Sequence, residues 1–149
     1  MAEVSNELIM AAIEGEDGVV HHTAYFTAAE GFMRGALLLP DVPDSAPALA
    51  LLSGQILECL LKAFLSKVGG VTENELKKKF GHKLWKLWQC AETLGLPIGP
   101  IPEWATSLNS LHADPYYLRY PKNGLGFPNA QHMKLKLTTL LETVRERMR

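Results

Sequence analysis

The sequence predicts an all-α fold, an up-and-down bundle of about four to five helices, on three observations. Apolar residues recur at three- and four-residue steps through several separate segments, the periodicity of amphipathic helices. Clusters of glycine and proline divide those segments from one another. No stretch shows the apolar/polar alternation of a half-buried strand, and there is no repeat or low-complexity tract. With 149 residues and 47% hydrophobic content, the chain can build one core but not two comfortable domains, so residues 1–149 read as one domain.

The elements follow in order. Residues 1–22 are acidic and form either a loosely attached arm or a short helix around Glu7 to Ile13, composition favouring neither. From Tyr25 to Leu39, the spacing of Tyr25, Phe26, Ala29, Phe32, Met33, Ala36 and Leu37 predicts a helix, stopped by Pro40. A turn over residues 41–47 offers Asp44 or Ser45 as a cap and Pro47 for the first turn of the next helix, which runs from about Pro47 to Val68. Two apolar stripes lie side by side on it, Leu49, Leu52, Ile56, Leu60, Phe64 and Val68 beside Leu57, Leu61 and Leu65. More than one face must therefore be covered, as in the central helix of a bundle. Glu58 and Lys62, four residues apart, are expected as a surface pair contributing a few tenths of a kcal/mol.

Gly69-Gly70 ends that helix, and a short turn or helix carrying Lys77-Lys78-Lys79 breaks at Gly81. A further helix from about His82 to Leu94 buries Leu84, Leu87, Trp88, Ala91 and Leu94 and closes at Gly95. Three prolines and a glycine keep residues 96–102 irregular. A short helix from about Pro102 to His112 turns Trp104, Ala105, Leu108 and Leu111 inward. The last helix runs from Asn129 or Ala130 to the end, capped by Asn129, with Met133, Leu137, Leu140, Leu141, Val144 and Met148 inward.

Charge is unevenly distributed. Residues 1–58 hold nine acidic side chains against Arg34 alone, whereas residues 119–149 hold seven bases against Glu142 and Glu146. Either the C-terminal end faces an anion, or the basic tail pairs with the acidic first half. No run approaches the roughly 18 to 20 consecutive apolar residues that span a bilayer, and the first residues lack the positive start of a signal peptide. Cys59 and Cys90 sit in apolar helical patterns without CxxC spacing. The expected setting is the cytoplasm, with no membrane and no cofactor.

Function is sought first in the irregular segment Ala113–Pro128, about 16 residues long and thus either a functional loop or a missed element. Tyr116, Tyr117, Arg119, Tyr120 and Lys122 gather aromatic faces and cations there, the combination that stacks bases and neutralises phosphates of RNA or a nucleotide. The alternative is that the tyrosines lie on the bundle and order the loop. The five histidines and two cysteines show no zinc-type spacing, so no metal site is expected. Lys77-Lys78-Lys79 reads as a solvated face, and Trp85, Trp88 and Trp104 as core and interface residues. No phosphate-binding glycine loop or nucleophile elbow is present.

The Leu57 to Leu65 helix, the Gly81-His82-x-Leu84 helix start and Leu118-Arg119-Tyr120-Pro121 before a basic final helix, taken together and in this order, resemble the HEPN family. The likeness runs from roughly Tyr25 to the C-terminus. It implies a helical bundle, frequent homodimers, and roles in toxin–antitoxin, anti-phage or RNA-processing systems. Many members are metal-independent endoribonucleases whose signature is an arginine, a spacer of about four to six residues, then a histidine. This chain departs from it: Gly124, Leu125 and Gly126 fill the window after Arg119, and the next histidine is His132. The resemblance with this departure thus implies a non-catalytic or degenerate member, a module associating with RNA, a nucleotide or a cognate partner protein. Its rival is an endoribonuclease in which Arg119 stabilises the charged phosphorane while His132 or His82 moves protons, within one chain or across a homodimer. A third reading is a structural, partner-binding bundle.

Overall fold

The computed structural model describes residues 20–118 and 126–149. Those residues are helical, with no strand among them. Six α-helices are described: α1 (Val20–Leu38), α2 (Ala46–Val68), the single turn α3 (Glu73–Glu75), α4 (Leu84–Thr93), α5 (Glu103–His112) and α6 (Ala130–Met148). A 3-10 turn at Pro43–Ser45 leads into α2, and a π-helical turn at Leu76–Phe80 continues α3.

The helix α2 is the axis of the bundle, packed against α1, α4, α5 and α6. Its ten residues from Ile56 to Leu65 are all buried, which is what a helix apolar on several faces requires. By length and composition Pro43–Val68 is apolar enough to cross a membrane, yet most of its apolar window is buried inside the bundle. Around α2, α1 contributes Ala29, Met33 and Ala36, α4 contributes Leu84, Leu87 and Trp88, α5 contributes Ala105 and Leu108, and α6 contributes Met133, Leu137 and Val144.

The expected helix ends mostly hold. Asn129 caps α6, its Oδ1 accepting from the His132 N–H at 3.0 Å. At the end of α2 the N–H groups of Gly69 and Val71 both reach the Leu65 carbonyl, with Gly70 at φ 61°, a conformation that glycine adopts without penalty. The turn α3 begins with a reciprocal capping box between Thr72 and Glu75. Three expectations fail at the edges: Leu37, Val68 and Leu94 are exposed rather than inward. Each stands at or next to the last residue of its helix, where neighbouring elements no longer cover the stripe.

Charge separation is resolved partly within the chain. Lys134 of α6 binds Asp41 at 2.7 Å and the Leu39 carbonyl at 2.6 Å. Arg145 reaches Glu30 of α1 at 3.2 Å and also pairs with Glu142. Two of the C-terminal bases therefore tie α6 to the acidic first half of the chain.

Candidate functional site

One charged cluster lies inside the bundle, and it opens to solvent on one side. Glu58 projects from the middle of α2 and is 6% exposed. Its Oε2 accepts from Lys62 Nζ at 3.3 Å. Its Oε1 lies 2.8 Å from His82 Nδ1 and 2.9 Å from His112 Nε2. Burial pushes the Glu58 pKa up, but the hydrogen bond from His112, the charge of Lys62 and the hydrogen bond from His82 outweigh it. They hold the carboxyl at about 2 against an ordinary 4.5. An ionised carboxylate can only accept, so both imidazole nitrogens that meet it carry protons.

Local sequence explains how three distant segments converge. His112, at the last turn of α5, lies against Gly54, one turn before Glu58 on α2. A Cβ at position 54 would sit 2.5 Å from His112 Nδ1, so only glycine leaves room for the ring. His82 follows the π-helical turn, which Gly81 closes with φ 53° and ψ −120°, a backbone state open to glycine. The start of α4 has no cap of its own. Asn109 of α5 supplies one, its Oδ1 accepting from Leu84 N at 2.9 Å and more weakly from Trp85 N at 3.4 Å. Asn109 and His112, three residues apart on α5, therefore hold the start of α4 and the ring of His82 beside the same helix.

A second set of bonds runs outward from Lys62. Its ammonium lies 5.8 Å from the centroid of the Tyr25 ring. The Tyr25 hydroxyl lies 2.9 and 2.8 Å from the two Glu73 oxygens, tying α1 to α3. Burial and the Glu73 hydrogen bond raise the Tyr25 pKa, so it stays a donor. Burial likewise raises the Cys59 thiol to about 12, which leaves it unreactive as a nucleophile.

His82 is the outlet of the cluster. Its side chain is 41% exposed, against 4% for His112. It lines an open cleft of about 240 Å³ with Lys77, Lys78, Lys79, Lys83 and Tyr116, Asp114 being the single acid on that wall among the described residues. The Tyr116 ring meets His82 edge to face at 6.0 Å. Tyr116 holds φ at 59°, sterically unfavourable for a residue with a Cβ, just after the cis Asp114–Pro115 peptide.

Of the residues singled out in the sequence, His82 and Tyr116 come together here. Tyr117 is half-buried, and His132 is exposed on the first turn of α6, where it is not among the side chains reaching Glu58. Arg119, Tyr120 and Lys122 lie outside the described residues. Glu58 and Lys62 correct the expectation of a surface pair: both are buried, because α2 is covered on every side over that stretch. Trp88 and Trp104 pack edge to face at 5.8 Å as expected, while Trp85 is 44% exposed.

Glu58, His82 and His112 offer three ligand atoms within 4.8 Å of one another, a donor set suited to a divalent transition metal. In the observed arrangement Lys62 already neutralises the carboxylate and both imidazoles donate to it, so hydrogen bonds alone satisfy the group. What the fold and site define is an all-helical bundle in which a buried carboxylate orients a histidine at the edge of a basic cleft. Compared with protein families, with curated proteins and with solved structures, the chain matches none.

Proposed function

We propose that this chain is a HEPN-like helical module that binds the phosphates of RNA or a nucleotide in the cleft beside His82. The observation that carries the reading is the convergence of four lysines, at positions 77, 78, 79 and 83, on the cleft into which the Glu58-held His82 opens. Phosphate recognition needs cations that remain solvent-accessible, and Lys77, Lys78, Lys79 and Lys83 are all exposed. Tyr116 adds an aromatic face on the same wall. Arg119, Tyr120 and Lys122, which follow Tyr116 closely in sequence, extend the same chemistry. The HEPN resemblance further implies a homodimer acting with a partner in a stress or defence setting, and the free cysteines favour the cytoplasm.

Fluorescence anisotropy with a labelled single-stranded RNA in EDTA tests this. Affinity should fall steeply as salt rises. Replacing Lys77, Lys78 and Lys79 together by Gln, or Arg119 by Ala, should weaken it at every salt concentration. Salt-insensitive binding, or binding indifferent to these changes, refutes the assignment.

A second reading has its own support in the Glu58–His82 pair. With Nδ1–H donated to Glu58, His82 keeps Nε2 as a proton acceptor, the arrangement of an oriented general base. Such a base would take the proton of a ribose 2′-hydroxyl as its oxygen attacks the adjacent phosphorus, while a nearby cation stabilises the phosphorane and the 5′-oxygen leaves with a proton from an acid. The same samples, run on a gel, decide it. Products ending in a cyclic phosphate that vanish in His82→Ala establish an endoribonuclease, and intact RNA leaves the binding module.

A further inference from the structure

Two tryptophans stand one turn apart on α4, and their surroundings differ. Trp88 is buried, its Nε1–H donated to the Gly99 carbonyl at 2.8 Å and its ring against Trp104. Trp85 is the most exposed of the large aromatic side chains described. It separates two open clefts, one of about 410 Å³ shared with Lys79, Phe80, Lys86 and Gln89, the other of about 310 Å³ shared with Gln89, Pro100 and Ile101. Lys79 and Phe80 line both the first of these and the His82 cleft. Lys86 holds its ammonium 5.5 Å from the centroid of the Trp85 ring.

We propose that Trp85 is the stacking platform for a nucleobase of a single-stranded RNA whose phosphates lie across Lys79 into the His82 cleft. The proposal rests on the phosphate-binding reading and adds to it a base subsite. An exposed indole with the Lys86 ammonium over its ring and Lys79 in the same cleft suits a base joined to a charged backbone: the base takes the place of the ammonium on the ring, and the lysines neutralise the neighbouring phosphate. Gln89, exposed four residues beyond Trp85 and lining both clefts, presents an amide whose donor and acceptor can meet a base edge. Charge also selects this occupant over an apolar helix from a partner, because Lys79 and Lys86 lie in the same cleft as the exposed indole.

The test compares a uridine oligomer with an abasic ribose-phosphate oligomer of equal length, titrated against the wild type, Trp85→Ala and Trp85→Phe. Trp85→Ala should weaken the uridine oligomer by roughly 5- to 150-fold, the range for loss of one stacked base, and leave the abasic one unchanged. Trp85→Phe should restore most of the loss, and the quenching of tryptophan emission on binding should disappear with the indole. Equal effects on both oligomers, or no effect on either, overturn the base subsite while the phosphate cleft stands. Failure of the wild type to bind either oligomer overturns both readings. Sedimentation of Trp85→Ala closes the remaining route: if it dissociates a wild-type dimer, the face belongs to a second copy and the proposal falls.

Discussion

The inner and outer ends of the charged cluster make opposite use of charge. Inside, Glu58, Lys62 and His112 are nearly sealed from water, and each has a partner within 3.3 Å. Outside, Lys77, Lys78, Lys79 and Lys83 stand along an open cleft, where the only acid on the wall among the described residues is Asp114. His82 belongs to both, one nitrogen bonded to the buried carboxylate and its ring partly in solvent. The difference teaches that the inner groups are tied to folding, since a buried charge must be compensated, whereas the outer ones are free to serve a ligand.

The largest way to break this contrast is to remove one inner partner. Glu58→Ala leaves Lys62 buried without its carboxylate and should destabilise the fold by about 3 to 5 kcal/mol in urea unfolding. The double change Glu58→Met with Lys62→Met should recover part of that loss, because it removes the orphaned Lys62 charge while still leaving the buried His112 imidazole without its acceptor. If the double variant is no better than the single one, the loss lies with the imidazoles left without Glu58 rather than with the Lys62 charge.

Acid probes the same group without mutation. A carboxyl whose pKa is lowered on folding adds stability above its unfolded value of 4.5, and that stability is lost as pH falls through the folded value of about 2. The shift corresponds to on the order of 3 kcal/mol. Unfolding free energy should therefore decline across this window, and the decline should be much shallower in Glu58→Gln. A profile unchanged by Glu58→Gln would assign the acid sensitivity to other carboxylates.

Next in size comes Gly54. Adding one methyl there places a carbon 2.5 Å from His112 Nδ1 and 2.8 Å from Cγ, too close for the ring to stay against α2. Gly54→Ala should cost about 1 to 3 kcal/mol, the usual penalty of overpacking, even though alanine is the better helix former. The His112 ring resonances in NMR should shift with it. Unchanged resonances and unchanged stability would show that the ring does not need this position.

The helices were legible in the sequence because each needs only a stripe of apolar residues and a stop. The π-helical turn was not, since nothing in Leu76 to Phe80 distinguishes it from an α-helical end until Gly81 turns the chain. The cluster was legible only in fragments. His82 stood out at a helix start, but Glu58 and Lys62 have the spacing of a surface pair, and burial depends on helices far away in sequence. A usable hint was present: two charges in the stretch of α2 where both apolar stripes run together, with Gly54 one turn earlier. His112 could not be placed, because 54 residues separate it from its partner. Trp88, unlike Trp85, falls on the apolar stripe read from the sequence, and the path of residues 96–102, which brings the Gly99 carbonyl to its Nε1–H, supplies the partner the sequence did not show.

The smallest expected effect on stability is the one that most sharpens the contrast. Lys77 approaches Glu73 only at 4.0 Å and is 68% exposed, so as a surface ion pair it contributes between nothing and about 1 kcal/mol. Replacing Lys77, Lys78 and Lys79 by Gln should thus leave unfolding free energy within about 0.5 kcal/mol of the wild type. The same triple variant should lower the dependence of log affinity on log salt by up to about 2 for a single strand, if all three lysines meet phosphates. These two outcomes belong together, because a residue held for binding is one whose removal the fold does not feel. A triple variant that loses more than about 1 kcal/mol of stability and keeps its salt dependence would place the lysines with Glu58 and Lys62. In that case the outer cleft would be a structural rim, and His82 would be the edge of a folding cluster rather than the start of a binding one.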